Sequence, residues 1–545
     1  MLAALVLAAL GGVCGFGWLV VGLAALLAGR GWHAVRPVAA PGLVLRGLGV
    51  AHRAEGLPPA LAQGAGWYVA ALVLLGAAGA VAALAWRRLA RGSSGVGRAR
   101  SGGHSGGGWG TARDAAPLVV GGAAPGRVVL GRSAGRLVAT EPGHSLLVMG
   151  PTQSGKTSGL VVPAILEWRG PVVATSVKGD LLDATLAARR RRGTVQVFDP
   201  AGVSAQEASG WSPLAEARAW LGARRVAAAL CSVARVGTGL EDGAFWYALA
   251  EKLLAPLLLA AASTGASMAD VVRWVDTEDV EEVVAALEGA GETEALRSFL
   301  ASIGRDDRQR SSVYATLETV LAAYADPVVA RSAASSEIDP GAFVAAGRED
   351  TCYLLAPAHE QERLQPIFVA LLRGFVDAAV TRAASRKAAL DPPLLLVLDE
   401  AANVAPFGGL DGLAATAAAH GVQLVTVWQD LAQVEARYGA RAGTVVNNHR
   451  AKVLCSGVSD PATLERVSAL IGEEEHKATT HSVDAAGSWS RAESMQVRRV
   501  APGDALRRLP PGEAVLVYGH LPPLHLRLRP FYQDRHLRRL AAESG

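Results

Sequence analysis

A lysine and a threonine directly follow a glycine-rich loop at residues 150–157. The loop reads Gly-Pro-Thr-Gln-Ser-Gly-Lys-Thr, with four residues between its two glycines. This spacing is the Walker A pattern, in which backbone N–H groups surround phosphates. Lys156 would neutralise the β- and γ-phosphates of a nucleotide, and the Thr157 hydroxyl would bind Mg²⁺. The residues predicted to contact the nucleotide are Gly150, Pro151, Thr152, Gln153, Ser154, Gly155, Lys156, Thr157 and Ser158.

An acidic pair lies farther along the chain, directly after an apolar run. Residues 394–398 are followed by Asp399 and Glu400, which fits the Walker B pattern. Asp399 would orient Mg²⁺ through water, and Glu400 would polarise the water that attacks the γ-phosphate. Kinases need no base that activates water, whereas motor ATPases commonly carry a glutamate at this position. The tandem acids therefore favour ATP hydrolysis.

A glutamine ends the next apolar run. Residues 423–428 are predicted to form a strand, and Gln429 follows directly. A polar side chain at the end of the strand beside Walker B can contact the γ-phosphate and report its hydrolysis. We assign Gln429 that catalytic role as a hypothesis. The alternative is a glutamine that caps a turn.

Polar residues end two further predicted strands, at 171–175 and 195–198. In an open α/β sheet the carboxyl ends of the strands line the ligand crevice. These polar residues are predicted to support the site, with ordinary loop polarity as the alternative. They are Ser176, Lys178, Asp180 and Asp199.

The elements that must position these side chains follow an α/β pattern. A buried strand at 145–149 precedes the glycine loop, and a helix at 158–168 follows it. Continuous apolar strands that alternate with helices predict a parallel sheet covered on both faces. The remaining predicted strands are residues 171–175, 195–198, 351–355, 394–398, 423–428 and 452–455.

A long helical pattern interrupts this alternation between residues 204 and 338. Loops of such length without secondary structure are uncommon, so we predict an all-helical insertion domain at 204–338. The nucleotide-binding domain then comprises 111–203 and 339–545. The predicted helical runs are 214–236, 244–262, 267–288, 292–303 and 307–325.

The N-terminal part of the chain predicts a membrane anchor at residues 1–91. Residues 1–29 carry no charged side chain, and a spanning helix needs about 20 apolar residues. We predict two transmembrane helices at about 2–29 and 67–86, with a signal peptide or a buried hairpin as alternatives. Residues 92–110 are rich in Gly, Ser and Arg and predict a flexible linker.

Topology follows from the nucleotide rather than from the flanking charges. Arginines are nearly balanced between the two ends of the predicted spans, so the positive-inside rule orients the protein only weakly. A domain that uses ATP must face the cytoplasm. We therefore predict a multi-pass protein of the cell membrane with a cytoplasmic nucleotide domain.

The composition limits the remaining function classes. A chain of 545 residues accommodates two to four domains at about 150 residues each. Only 5% of residues are aromatic, which argues against extended base-stacking platforms. The net charge of +4 is explained as well by arginines near the predicted spans as by nucleic acid. The four cysteines lie far apart and predict neither a zinc site nor a disulfide framework.

Together these residues resemble the type IV coupling proteins, the VirD4/TraG/TraD family of conjugative DNA transfer ATPases. The most specific match runs from 398–403 (Leu-Asp-Glu-Ala-Ala-Asn) through 429–433 (Gln-Asp-Leu-Ala-Gln) to 437–439 (Arg-Tyr-Gly). The chain departs from the family at Ser212, where Asn is usual, and at Ser176, where Asp is common. Further matching segments are 109–114, 150–157, 178–180, 199–200, 211–214, 245–246 and 509–519.

The resemblance implies a RecA-like P-loop NTPase fold with a mostly parallel sheet, an all-helical insertion and two N-terminal transmembrane helices. It implies a homo-hexamer that uses ATP and Mg²⁺ to drive single-stranded DNA, with its covalently attached relaxase, into a type IV secretion channel. The helical domain is similar to the family's substrate-facing lid. An arginine finger from a neighbouring subunit is also implied, and Arg363, Arg373 and Arg450 all remain open for that role.

Three other functions remain open from the sequence. A double-stranded DNA translocase of the FtsK/SpoIIIE type shares the anchor and core, although no winged-helix pattern follows the core here. A non-hydrolysing membrane adaptor could instead recruit protein substrates to a secretion machine. A related ATPase could export proteins only.

Overall fold

The computed structural model describes residues 18–21, 25, 108–177, 179–232, 241–355, 357–404, 407–483 and 489–542. The chain divides into two compact units, Met1–His104 and Ser105–Gly545. In the first unit, the described residues 18–21 and 25 are helical, and Val20, Val21 and Ala25 are buried. The rest of the predicted span at 2–29, the span at 67–86 and most of the linker at 92–110 lie outside the described residues.

One helix in the described part of the chain is long and apolar enough to cross a membrane. It covers Gly243–Thr264, and 56% of its most apolar window is buried inside the protein. Its leucines and its alanines from Ala250 onward belong to the hydrophobic core of the second unit or pack against it. The core helix of a soluble domain can have the same length and apolar composition.

Twelve strands of the described chain form one sheet in the second unit. Their order across the sheet is β1-β3-β2-β14-β13-β10-β4-β9-β8-β5-β7-β6, and β11 pairs with β12 as a separate hairpin. The strands are β1 (Val119–Val120), β2 (Val129–Ser133), β3 (Arg136–Ala139), β4 (Leu146–Met149), β5 (Val172–Ser176), β6 (Val195–Phe198), β7 (Thr351–Leu355), β8 (Leu394–Leu398), β9 (Val422–Trp428), β10 (Ala451–Cys455), β11 (Glu473–Val483), β12 (Trp489–Arg499), β13 (Glu513–Tyr518) and β14 (Leu521–Arg527).

The seven strands from β10 to β6 in this order are mutually parallel. Every residue of β4, β5, β7, β8 and β9 is buried, because helices cover both faces of the sheet. The prediction of a mostly parallel α/β sheet is therefore confirmed. Antiparallel pairing adds β13, β14, β2, β3 and β1 beyond β10, and the sequence analysis identified none of these strands.

Eighteen α-helices lie within the described residues of the second unit, and a π-helical turn at Thr157–Val161 precedes the first of them. They are α1 (Val162–Glu167), α2 (Asp180–Arg190), α3 (Pro213–Glu216), α4 (Trp220–Ser232), α5 (Glu241–Thr264), α6 (Met268–Asp276), α7 (Val280–Gly289), α8 (Thr293–Ile303), α9 (Asp307–Leu321), α10 (Pro327–Ser332), α11 (Pro340–Phe343), α12 (Gln361–Arg386), α13 (Leu410–Thr416), α14 (Leu431–Tyr438), α15 (Ala442–Asn448), α16 (Pro461–Ile471), α17 (Gly503–Arg507) and α18 (Arg535–Ala542).

Between β6 and β7 the described residues form helices α3–α11 and no strand. The run predicted at 267–288 is two helices, because Glu278 adopts a left-handed φ of +49° and Asp279 caps α7 by accepting the Glu282 N–H. The core of these helices is continuous with the core on one face of the sheet. The domain boundaries at 204 and 338 stay predictions.

Candidate nucleotide site

The glycine loop connects β4 to the π-helical turn at the carboxyl edge of the parallel strands. The Gly150 N–H donates to the Trp428 carbonyl at 3.1 Å, which ties the loop to β9. A Cβ on Gly150 would lie 2.6 Å from the Ser154 Oγ and 2.9 Å from the Cys455 Cβ. Gln153 and Gly155 both adopt left-handed φ values, +64° and +84°. The loop therefore forms a closed cradle that a side chain at residue 150 would fill.

Lys156 is buried inside this cradle. Its ammonium donates to the Gly150 carbonyl and, at 2.8 Å, to the Pro151 carbonyl. Burial lowers the pKa of Lys156, while the nearby Asp399 and Glu400 oppose that change. The loop thus holds its lysine by its own carbonyls, at the point where phosphate oxygens are expected.

Asp399 connects the acidic pair to the loop. The Thr157 Oγ1 donates to its Oδ2 at 3.2 Å, and the Thr175 Oγ1 donates to its backbone carbonyl at 3.0 Å. Burial raises the pKa of Asp399 to about 6, with a further contribution from the Glu400 charge. Thr157 and Asp399, which are 242 residues apart in sequence, are brought together as the predicted Mg²⁺ pair.

Glu400 lies in a strained turn directly after β8. Its φ is +54°, and its carbonyl accepts the Asn403 and Val404 N–H groups at 2.9 and 3.1 Å. A non-glycine residue in this region costs about 1–3 kcal/mol, and such strain is concentrated at functional sites. The turn keeps the Glu400 carboxylate close enough to influence the pKa of both Lys156 and Asp399.

Gln429 follows β9 at the same edge of the sheet. The parallel register pairs Met149 with Trp428, so Gln429 lies beside the start of the glycine loop. Its backbone N–H donates to the Gln433 Oε1 at 3.0 Å, which ties residue 429 to helix α14. The structure therefore places residue 429 near the loop, and the role of its side chain toward the γ-phosphate stays a prediction.

Two buried hydroxyls at this edge have no hydrogen-bond partner among the described residues, those of Ser154 and Ser176. Ser154 lies in the glycine loop, and Ser176 ends β5 beside β8. Buried polar atoms are almost always hydrogen-bonded, so each hydroxyl has capacity for a bound group. These hydroxyls, the cradle and the Thr157–Asp399 pair fit a nucleotide phosphate with Mg²⁺.

The sequence analysis missed one wall of the site. Cys455 ends β10 against Gly150, and a Cβ on Gly457 would lie 3.3 Å from the Pro151 ring. The strand at 452–455 was itself predicted, so its parallel position at the sheet edge was the available signal. Its place next to β4 depends on strand order, which spacing alone does not reveal.

The three arginines open for the finger role occupy different places. Arg363 pairs with Glu360 at 2.6 Å and with Asp326 at 3.3 Å, which joins α12 to the helical segment. Arg373 pairs with Asp377 at 3.0 Å. Arg450 precedes β10 at the end of the strand opposite Cys455.

The family model described as type IV secretory system conjugative DNA transfer matches residues 116–544. The chain belongs to this family. It is 28% identical over 340 residues to the conjugal transfer protein TraG of Escherichia coli, covering 56% of this chain and 52% of TraG. It is 27% identical over 416 residues to the protein VirD4 of Rhizobium radiobacter, covering 73% of this chain and 58% of VirD4. The chain thus spans between half and three-fifths of these relatives.

The fold is that of a solved coupling protein. The bacterial conjugative coupling protein TrwB, unbound, superposes with a TM-score of 0.60 at 20% identity, covering 80% of this chain and 95% of that chain. The plasmid coupling protein TrwB in complex with ADP and Mg²⁺ gives a TM-score of 0.59 at 20% identity, with the same shares covered. The family resemblance inferred from the sequence is confirmed, and the mostly parallel α/β sheet predicted with it matches the fold of TrwB.

Proposed function

We propose that this chain is a membrane-anchored coupling ATPase that passes single-stranded DNA with its relaxase to a type IV secretion channel. The single observation that carries the proposal is the Thr157–Asp399 hydrogen bond, which joins the two nucleotide motifs at one edge of the sheet. The family match and the TrwB complex with ADP and Mg²⁺ support the same reading.

The residues of the site divide the work of ATP hydrolysis. Bound Mg²⁺ supplies positive charge that stabilises the oxygens of the transferred phosphoryl group. Thr157 and Asp399 would hold that cation, and Lys156, which donates to the Gly150 and Pro151 carbonyls, would donate to phosphate oxygens instead. Glu400 orients and polarises water, and Gln429 contacts the γ-phosphate. The carboxylate of Asp399 must be ionised to act, and its pKa of about 6 makes it largely so at neutral pH.

Assembly and location belong to the same proposal. We place the anchor at 1–91 in the cell membrane and the nucleotide domain in the cytoplasm, with a homo-hexamer around a central channel. The nucleotide domain comprises 111–203 and 339–545, and the helical insertion at 204–338 faces the substrate. Contact with DNA would be mostly to phosphates and independent of sequence, so partner proteins would supply specificity.

Turnover by the full-length protein in detergent or nanodiscs tests the proposal directly. ATP hydrolysis is measured with and without single-stranded DNA for the wild type, Lys156→Ala and Glu400→Gln. Each variant is expected to lose about 100-fold or more in turnover, since each removes a group that acts on the transferred phosphate or on water. Full ATP turnover by Lys156→Ala would contradict the proposed mechanism.

Substrate class is separated by a second assay. A strain that lacks the chain is complemented with the wild type or with Glu400→Gln, and DNA transfer and protein export are scored in parallel. Loss of DNA transfer supports the coupling role. Transfer of DNA that persists with Glu400→Gln indicates an adaptor, and loss confined to protein export indicates a protein exporter.

A further inference from the structure

The helix after the glycine loop begins with two carbonyls that lack their usual α-helical donors. In the π-helical turn the Val162 N–H donates to the Thr157 carbonyl, five residues back. The next residue, Pro163, has no N–H to donate. The Ser158 carbonyl therefore receives neither the α-helical hydrogen bond from residue 162 nor the π-helical hydrogen bond from residue 163. The Gly159 carbonyl receives no α-helical hydrogen bond from residue 163.

A distant part of the chain supplies the missing donors. The Phe531 N–H donates to the Ser158 carbonyl at 2.9 Å, and the Arg529 N–H approaches the Gly159 carbonyl at 3.4 Å. Residues 528–531 therefore run along the first turn of the helix. A Cβ on Gly159 would lie 3.1 Å from the Leu528 Cβ, so the small residue permits this close approach.

The Arg529 side chain holds the other end of the same helix. Its two terminal nitrogens donate to the two carboxylate oxygens of Glu167, the last residue of α1, at 3.0 and 3.1 Å. Its Nε donates to Asp534 at 3.0 Å, and the side chains of Arg529 and Glu167 are each 5% exposed. A buried bidentate pair of this kind is strong and sensitive to geometry, and loss of one partner leaves a buried charge.

We propose that residues 528–531, anchored by Arg529, form a brace that positions the helix after the glycine loop, and that Arg529 is a positioning residue of the nucleotide site. The braced turn begins at Thr157, whose hydroxyl reaches Asp399 at 3.2 Å. That distance is near the upper limit of a hydrogen bond, so a small displacement of the turn separates the Mg²⁺ pair. The inference rests on the proposed nucleotide function.

Full-length Arg529→Gln, Arg529→Lys and the control Arg527→Gln test the brace. Arg527 is an exposed arginine on the same segment. The measurements are hydrogen exchange of single amides without nucleotide, and binding of a fluorescent ATP analogue with Mg²⁺ or with EDTA. We expect Arg529→Gln to lose about 10- to 100-fold in Mg²⁺-dependent affinity, the scale typical of groups that orient metal ligands.

The other expected results follow from the same geometry. In Arg529→Gln the Arg529-position and Phe531 amides exchange faster, while affinity in EDTA changes less because the loop itself is intact. Arg529→Lys keeps the positive charge but not the paired guanidinium donors, so it recovers part of the lost Mg²⁺-dependent affinity. Arg527→Gln behaves as the wild type. A folded Arg529→Gln with wild-type exchange and wild-type Mg²⁺-dependent affinity would overturn the proposal.

Pro163→Ala tests the backbone half of the brace without removing a buried charge. Alanine favours the helix and restores an N–H that can donate to the Gly159 carbonyl. The amide of Arg529 is then expected to exchange faster, because it loses its acceptor to the helix; unchanged exchange would contradict the role given to Pro163. If the wild type binds no Mg²⁺–nucleotide, the proposed function fails, whereas exchange in the nucleotide-free protein still decides the brace.

Discussion

Replacement of Glu216 by glutamine is expected to stabilise the protein at alkaline pH and not at acidic pH. Glu216 is the last residue of α3, the first helix between β6 and β7. Its Oε1 is buried without a hydrogen-bond partner among the described residues. A Cβ on Gly374 of α12 would lie 2.6 Å from that oxygen. Burial, with smaller contributions from Asp377 and Asp339, raises the pKa of Glu216 from 4.5 to about 7.

The sign follows from proton binding in the two states. Between pH 4.5 and about pH 7 the folded chain keeps a proton on Glu216 that the unfolded chain releases. The free energy of unfolding of the wild type therefore falls as the pH rises through this window. At about 1.4 kcal/mol for each pH unit, the raised pKa of Glu216 lowers the free energy of unfolding, relative to acidic pH, by about 1 kcal/mol at about pH 5 and about 3 kcal/mol at about pH 8.

Urea unfolding followed by tryptophan fluorescence measures the effect, with the buried Trp211 on the same segment as a reporter. The stability of Glu216→Gln relative to the wild type is expected to increase by about 2 kcal/mol between about pH 5 and about pH 8. Glu207→Gln, at an exposed position, serves as the control and should show no such trend. Parallel pH profiles for Glu216→Gln and the wild type would refute the reasoning.

Three further changes test the site and its support. Gly150→Ala is expected to weaken nucleotide binding by about tenfold or more, because the added methyl would contact Ser154 and Cys455 in a close-packed loop. Titration with a fluorescent nucleotide measures the affinity. Gly412→Ala, where a methyl has open space, is the control. Thr157→Ser should keep Mg²⁺-dependent turnover, whereas Thr157→Val should lose it with the hydroxyl that reaches Asp399; equal Mg²⁺ titrations would argue against that pair. Arg189→Lys should destabilise the chain by about 3 kcal/mol in urea unfolding, because four hydrogen bonds from the buried guanidinium to Thr351, Trp168, Gly170 and Glu349 cannot be remade by an ammonium; an unchanged midpoint would contradict this.

Local patterns predicted the central part of the molecule. The glycine loop directly follows its strand in sequence, and so does the acidic pair. Each is therefore a short motif with its own physical signature. Burial of β8 on both faces requires the continuous apolar run that the sequence shows at Leu394–Leu398. The long helical pattern between β6 and β7 was also predicted from the sequence. The structure differs at the breaks at 217–219 and 277–279, and it adds helix α10 (Pro327–Ser332), which no predicted run covered.

Contacts between distant segments escaped the sequence. The antiparallel strands β2–β3 and β13–β14 form local hairpins, but they join the sheet through strands that are distant in the chain, because β14 pairs with β2 and β13 pairs with β10. The Arg529–Glu167 pair joins residues that are 362 positions apart, and neither residue belongs to a motif. The predicted anchor at 1–91 lies almost wholly outside the described residues and stays a prediction.

The sequence by itself determined which residues are candidates for the site, because phosphate and Mg²⁺ contacts need particular residue types at short fixed spacings. Only the tertiary structure decided which groups hold that chemistry in place. The sequence does not show that the Phe531 N–H donates to the Ser158 carbonyl, which Pro163 cannot serve as a donor. Nor does it show that α12 packs against the Glu216 carboxylate. Burial and distance are set by the packing of the whole chain, and no local pattern carries them.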